Sequence, residues 1–355
     1  MNIFDYVQKY GHLTFKEKEF NDIDNLVFCS LSYLNFTDTS ININNHTIEY
    51  IGREFLSLYT FKEIKKLGIP QKNGYLLLQS VINTRRYKNI IVHDYVYMVD
   101  ENKQFCAMMF RINKDTEYMC FEGTDETVVG WKEDFELSYK FPIPSQISAI
   151  KYANKHIKMR GPNIIIGGHS KGGNLALVAA MYTRQYKQFR VKKVYSNDGP
   201  GLRKKEFMSG QYRRIKRKYT HIVPNNSMVG IILRNDIYNV VKSNRRGLLG
   251  HAIASWQIED DHLVESKLSD SSIKLEQNII SWLENHTDKE KKYIVKSVFG
   301  IFEDASVKKF IELDNLTNIK KVINNAKNID KTTKDLLVDI FVNILDLKFL
   351  KKESN

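Results

Sequence analysis

Apolar positions change their spacing several times along this 355-residue chain, and each change predicts a different kind of element. Residues 1–75 carry helical spacing, with an apolar segment at 20–35 and an amphipathic one at 53–67. In the latter, Lys62, Lys65 and Lys66 interleave with Phe61, Ile64 and Leu67, the texture of a surface helix. A further helix begins near Tyr75. Runs with strand texture follow at 92–99, 105–112 and 117–121, separated by polar turns at 100–103 and 113–115. That succession predicts an antiparallel meander. A helix over 144–160 is closed by Gly161-Pro162.

From there strands and helices alternate. Strands are expected at 163–167, 191–196, 219–223 and 237–242, with helices at 171–186 and 201–210. Such alternation predicts the α/β class, with a mostly parallel sheet flanked by helices and ligands gathered at the C-terminal ends of the strands. Beyond residue 270 only helical patterns remain, at 273–284, 290–302, 307–314 and 332–349, with no internal repeat. The chain therefore divides into an α/β domain over 1–270, its first 90 residues mainly helical, and a helical C-terminal appendage over 271–355.

One turn carries the chemistry. Asn163 to Gly167 is a β-branched run that stops at Gly168-His169-Ser170-Lys171-Gly172, and a Leu- and Ala-rich helix pattern starts at once. A G-x-S-x-G between a strand and a helix is the setting of a nucleophile elbow, where a strained turn lifts the serine hydroxyl clear of the sheet. Ser170 is thus the candidate nucleophile. Serine at neutral pH needs a base, and the base needs an orienting acid. In α/β-hydrolases these follow in the chain order Ser, acid, His. His251, in the loop beyond the last expected strand, is the candidate base, whereas its main rival, His262 beside Asp260 and Asp261, reads as a solvated turn. Asp198, in Ser196-Asn197-Asp198-Gly199-Pro200-Gly201 at a strand end, is the candidate acid. Asp236 precedes its strand and should lie at the wrong end of the sheet. His169, next to the nucleophile, must point elsewhere and reads as packing. An oxyanion hole requires the N–H of Lys171 and a second donor from an earlier strand–helix loop, for which Thr124 has the right address and offers both its backbone N–H and its hydroxyl. Met228 and Val229, in the apolar run 227–233, are candidate substrate contacts, although such a run also reads as core.

Charge and composition add less. The net charge is +13, and basic residues cluster at 203–218, a candidate surface for anionic membrane as well as an ordinary solvated face. No nucleic-acid motif accompanies them and aromatic residues there are few, so nucleic acid is not an expected partner. The three cysteines show no pairing pattern, the N-terminus has no signal-peptide texture, and no apolar run is long enough to span a bilayer. The expected location is cytoplasmic. No cofactor motif or metal-ligand set is present, and none is expected.

These residues resemble a family. Phe121-Glu122-Gly123-Thr124, followed by Trp131 to Asp134, resembles the F-R-G-T…W…D segment of class 3 (fungal-type) lipases, and Gly168 to Gly172 resembles their elbow, with Lys171 where an apolar residue is usual. A closer resemblance is to the Mbeg-like bacterial family of α/β-hydrolases. It is carried by Asp5-Tyr6, Asp24-Asn25-Leu26, Gly130 to Phe135, Gly168 to Asn174, Asn197 to Gly201, Val223-Pro224, Ser227 to Gly230, and His251 with Ser255-Trp256. It covers residues 1 to about 260 and leaves the helical tail outside. The resemblance implies an α/β-hydrolase fold and lipase or esterase activity on an acyl ester or lipid; it supplies no substrate. One departure stands out. Class 3 lipases place the acid just before the Val-Pro, where this chain has His221-Ile222. That supports Asp198 as the acid and leaves a degenerate triad open. The alternative to a hydrolase is a non-catalytic scaffold of the same fold that binds a small molecule or a protein partner.

Overall fold

Eight strands lie side by side in the order in which the chain makes them. They are β1 (His46–Thr47), β2 (Ile91–Val99), β3 (Gln104–Asn113), β4 (Thr116–Phe121), β5 (Asn163–His169), β6 (Val191–Asn197), β7 (Tyr219–Pro224) and β8 (Asn239–Val241). Pairing is antiparallel from β1 to β4 and parallel from β4 to β8. The meander and the parallel half are those expected; the short β1 at the edge was hidden within a helical pattern. The computed structural model describes residues 1–37, 39–124, 128–304, 330–331 and 333–335.

Helices α1 (Ile3–Tyr10), α2 (Asp22–Leu31), α3 (Ile48–Ser57), α4 (Phe61–Ile64) and α5 (Ile69–Val81) precede the meander. Then come α6 (Val128–Glu136), α7 (Pro144–His156) and α8 (Lys171–Tyr182), between the inner strands. Short helices α9 (Lys204–Phe207), α10 (Gly210–Ile215) and α11 (Gly247–His251) decorate the later loops, and α12 (Asp270–Asn285) and α13 (Asp288–Asp304) follow the sheet. Side chains of a strand alternate between faces, so a strand apolar throughout needs cover on both. On β3, Cys106, Met108 and Phe110 join Leu26, Phe28 and Leu78 in one core cluster. Phe105, Ala107 and Met109 join Ala153, Leu175 and Ala179 in the other. The result is an α/β-hydrolase fold, a mostly parallel sheet between two helical layers.

Local signals explain where the elements begin and where they stop short. α1 and α2 each open with an asparagine capping box, Asn2 with Asp5 and Asn21 with Asp24. The helix expected over 53–67 is interrupted after Ser57 and resumes as α4. The one expected over 171–186 ends at Tyr182, because Asn154 donates to the Tyr182 carbonyl at 3.0 Å and accepts the Arg184 N–H at 2.8 Å. That over 201–210 shrinks to α9, its start delayed by Gly199-Pro200-Gly201. The last strand covers only Asn239–Val241 of the expected 237–242. The helices expected at 273–284 and 290–302 are α12 and α13, and Phe299 of α13 meets Phe135 of α6 with ring centroids 5.3 Å apart. The helix expected at 307–314, and that at 332–349 apart from 333–335, lie outside the described residues. Among the described residues, no helix is long and apolar enough to cross a membrane.

Candidate active site

The turn between β5 and α8 forces Ser170 to φ 58°, ψ −133°, a strained region for a non-glycine residue. Its two glycines make the turn feasible. A Cβ on Gly168 would sit 2.2 Å from the Gly172 backbone, and one on Gly172 would sit 2.2 Å from the Phe121 carbonyl oxygen. Strand and helix therefore approach closer than any side chain permits. The Ser170 N–H donates to the Asn197 carbonyl at 2.9 Å, tying the turn to the end of β6, and the residue keeps 8% of its surface exposed.

Asp198 follows on β6 in a left-handed conformation, φ 50°, and its side chain is fully buried. One carboxylate oxygen, Oδ1, accepts from the Ser227 hydroxyl at 2.5 Å and the Gly230 N–H at 3.0 Å. The other, Oδ2, meets His251 Nδ1 at 2.7 Å. A carboxylate can only accept, so Nδ1 carries the proton and Nε2 is left as the basic nitrogen. The structure thus brings Asp198 and His251 together across 53 positions of sequence. Among the described residues the Ser170 hydroxyl makes no hydrogen bond.

His169 has more than a packing role. Its Nε2 lies 2.9 Å from the His251 carbonyl oxygen, and its Nδ1 lies 2.8 Å from the Tyr33 hydroxyl. The carbonyl can only accept, so Nε2 bears the proton and Tyr33 donates to Nδ1. The ring centroids of His169 and His251 are 4.3 Å apart, which sets the loop carrying His251 directly beside the elbow. Nothing in the sequence announced Tyr33. Ser227 and Gly230 were visible as part of an apolar run and of the family resemblance but had no role assigned, yet a serine opening such a run was a signal that something polar faced it. Met228 is half-buried in that loop and Val229 is buried.

The Glu122-Gly123-Thr124 loop presses on the same turn, since a Cβ on Gly123 would lie 3.0 Å from Ser170 Cβ and 2.5 Å from the His169 carbonyl oxygen. The Thr124 hydroxyl is committed elsewhere, donating to Asp134 Oδ2 at 2.5 Å. Burial raises the Asp134 carboxyl to about 6, against the opposing pull of Lys171 and the Thr124 hydrogen bond. Lys171 opens α8, where its N–H has no partner within the helix. Its side chain is fully buried. The ammonium donates to Gln104 Oε1 at 2.8 Å, the Gln104 carbonyl at 3.1 Å and Glu133 Oε2 at 3.1 Å. Gln104 in turn donates to the Gly123 carbonyl at 3.0 Å, and Glu133 accepts the Ser145 N–H at 3.1 Å. A lone charge in an otherwise apolar helix start was the legible sign of such a network.

The rival residues stand apart. His262 is exposed beside Asp261, and Asp236 pairs with Lys216 and accepts from Tyr212. His221, where class 3 lipases would have their acid, is fully buried with its ring 5.8 Å from that of Tyr219. Burial lowers His169 to about 3 and His221 to about 4. Both are therefore neutral in the folded chain, while the unfolded chain protonates them near pH 6.5. Stability from each is present above pH 6.5 and is lost as pH falls toward the folded value, at about 1.4 kcal/mol per pH unit. Urea unfolding of the wild type and of His221→Phe at pH 7 and pH 5 checks this. The variant is expected to lose about 2 kcal/mol less on acidification; equal losses in the two proteins would contradict it.

The Mbeg1-like family model matches residues 81–300. The matched span begins later, and ends later, than the resemblance read from the sequence, and it takes in α12 and most of α13. No curated protein matches the chain. A solved structure described as the crystal structure of M37 lipase is similar at 17% identity and a TM-score of 0.33, over 58% of this chain and 68% of that one.

Proposed function

The chain belongs to the Mbeg1-like family, and from its own α/β sheet and strained Ser170 turn we propose that it is a serine hydrolase cleaving a carboxylic, lipid-like ester. The observation that carries this reading is the combination of Ser170 at φ 58° with the Asp198–His251 contact of 2.7 Å beside it. Ser170 Oγ attacks the acyl carbonyl while His251 Nε2 takes its proton, and Asp198 holds the imidazole and balances its charge. The N–H groups of Thr124 and Lys171 stabilise the oxyanion. His251 returns the proton to the departing alcohol, and water then releases the acyl group by the same steps in reverse.

Met228 and Val229 are proposed to touch the acyl chain, since their loop also supplies Ser227 and Gly230 to Asp198. Basic residues within 203–218 would face an anionic lipid surface. The reduced, buried Cys29, Cys106 and Cys120 are consistent with a cytoplasmic location. The hydrolase unit is taken as residues 1–270, with 271–355 as its helical appendage.

Fluorophosphonate labelling tests the proposal without a guess at the substrate. A stoichiometric adduct on Ser170, located by peptide mass spectrometry and absent from Ser170→Ala and His251→Ala, is expected. No adduct from folded protein, with detergent present, would move the assignment to a non-catalytic scaffold.

A further inference from the structure

A cavity of about 750 Å³ opens where α9 and the 233–234 segment face α12 and α13, within the size range of small-molecule sites. Its walls divide by chemistry. Leu202, Leu233, Ile280 and Leu283 form an apolar floor, and Met208 at the rim is 66% exposed. Five cations line it: Arg203, Lys204, Lys205, Arg234 and Lys291.

Four of the five share two carboxylates. Asp288 receives Arg203 at 2.6 Å and Lys291 at 3.8 Å, while Glu284 receives Arg234 and, at 4.0 Å, Lys204. Lys205 forms no ion pair among the described residues. Glu206, the acid of α9, is buried and forms no ion pair with any of the five among the described residues. Three positive charges are thus left over around an apolar floor. Burial, with Arg203 close by, also lowers the Lys291 pKa, a strain that a bound anion would relieve.

The cavity is joined to the serine turn through the backbone. Leu202 and Arg234 exchange hydrogen bonds of 3.0 and 2.9 Å, and the Gly201 N–H donates to Ile232 at 2.8 Å. The ribbon so formed starts at Asp198, whose carboxylate takes the Gly230 N–H. Four residues of chain reach at most roughly 14 Å, so Leu202 lies within that distance of Asp198. We propose that this cavity binds a single-chain anionic amphiphile, its phosphate or carboxylate among the cations and its acyl chain on the apolar floor. That the amphiphile is what the protein processes rests on the hydrolase reading; the binding itself does not.

Titration calorimetry on the full chain carrying Ser170→Ala separates the two, because a failed labelling experiment leaves this binding measurement intact. Below their micellar concentrations, lysophosphatidate and oleate are expected to bind at least tenfold more tightly than monooleoylglycerol. Lys204→Glu/Lys205→Glu, two exposed changes whose folding is checked by thermal melting, is expected to abolish that margin. The relative affinities of lysophosphatidate and oleate tell a phosphate from a carboxylate preference. Equal affinity for the neutral lipid, equal affinity for inorganic phosphate alone, or an undiminished margin in the charge-reversed protein would overturn the proposal. So would binding confined to phosphatidylglycerol vesicles, which would point to a membrane surface instead.

Discussion

Asp198→Asn is expected to lower the turnover of a p-nitrophenyl acyl ester by about 10⁴-fold while leaving the fold in place, the scale seen when a triad acid becomes an amide. The reason lies in the two oxygens of Asp198. An asparagine keeps Oδ1, so the bonds from Ser227 and the Gly230 N–H survive and the side chain stays where it is. Its Nδ2 replaces the oxygen that His251 Nδ1 meets at 2.7 Å. A donor there forces Nδ1 to accept, which moves the proton to Nε2 and removes the base that Ser170 requires. The measurement is kcat for wild type and variant beside their urea midpoints. A loss of less than tenfold would mean that Asp198 does not orient the base.

Lys171→Met should have the largest effect on stability, a loss of about 3–5 kcal/mol, because it leaves the buried Glu133 carboxylate without its cation. Glu133 would keep the Gln104 and Ser145 N–H bonds but would remain charged in a dry site. The double variant Lys171→Met/Glu133→Gln should recover much of the loss, since it removes the uncompensated charge as well. Urea unfolding of the four proteins in this cycle gives the answer. A single-variant loss under about 1 kcal/mol would show that Glu133 finds water or a proton at little cost. The same lysine reaches the Gly123 carbonyl through Gln104, so labelling at Ser170 should slow in the single variant even where it is fully folded.

Legibility followed the range of the interaction. The meander was readable because its strands are consecutive and their turns are polar, so pairing needs no distant information. Helix ends were less so. The stop at Tyr182 depends on Asn154, 28 positions earlier, and no local pattern encodes it. The commitment of the Thr124 hydroxyl to Asp134 belongs to the same class; from the sequence that hydroxyl stood free for the oxyanion.

The sequence by itself determined the strand–turn–helix around Ser170, because backbone sterics act between neighbours. A glycine two residues to either side of Ser170 is a local statement that strand and helix cross too closely for a Cβ. It also determined the α/β class, since the period of apolar positions dictates which face of each element must be covered. Only the tertiary structure decided that Asp198 and His251 meet, that Ser227 and Gly230 hold the Asp198 carboxylate, and that Tyr33 and His169 support the loop that carries His251. It alone set Lys171 against Glu133 and five cations around a cavity with an apolar floor. The physical reason is that hydrogen bonds and ion pairs are satisfied by whichever groups the packed core brings within about 3 Å, and that choice is made by the fold as a whole.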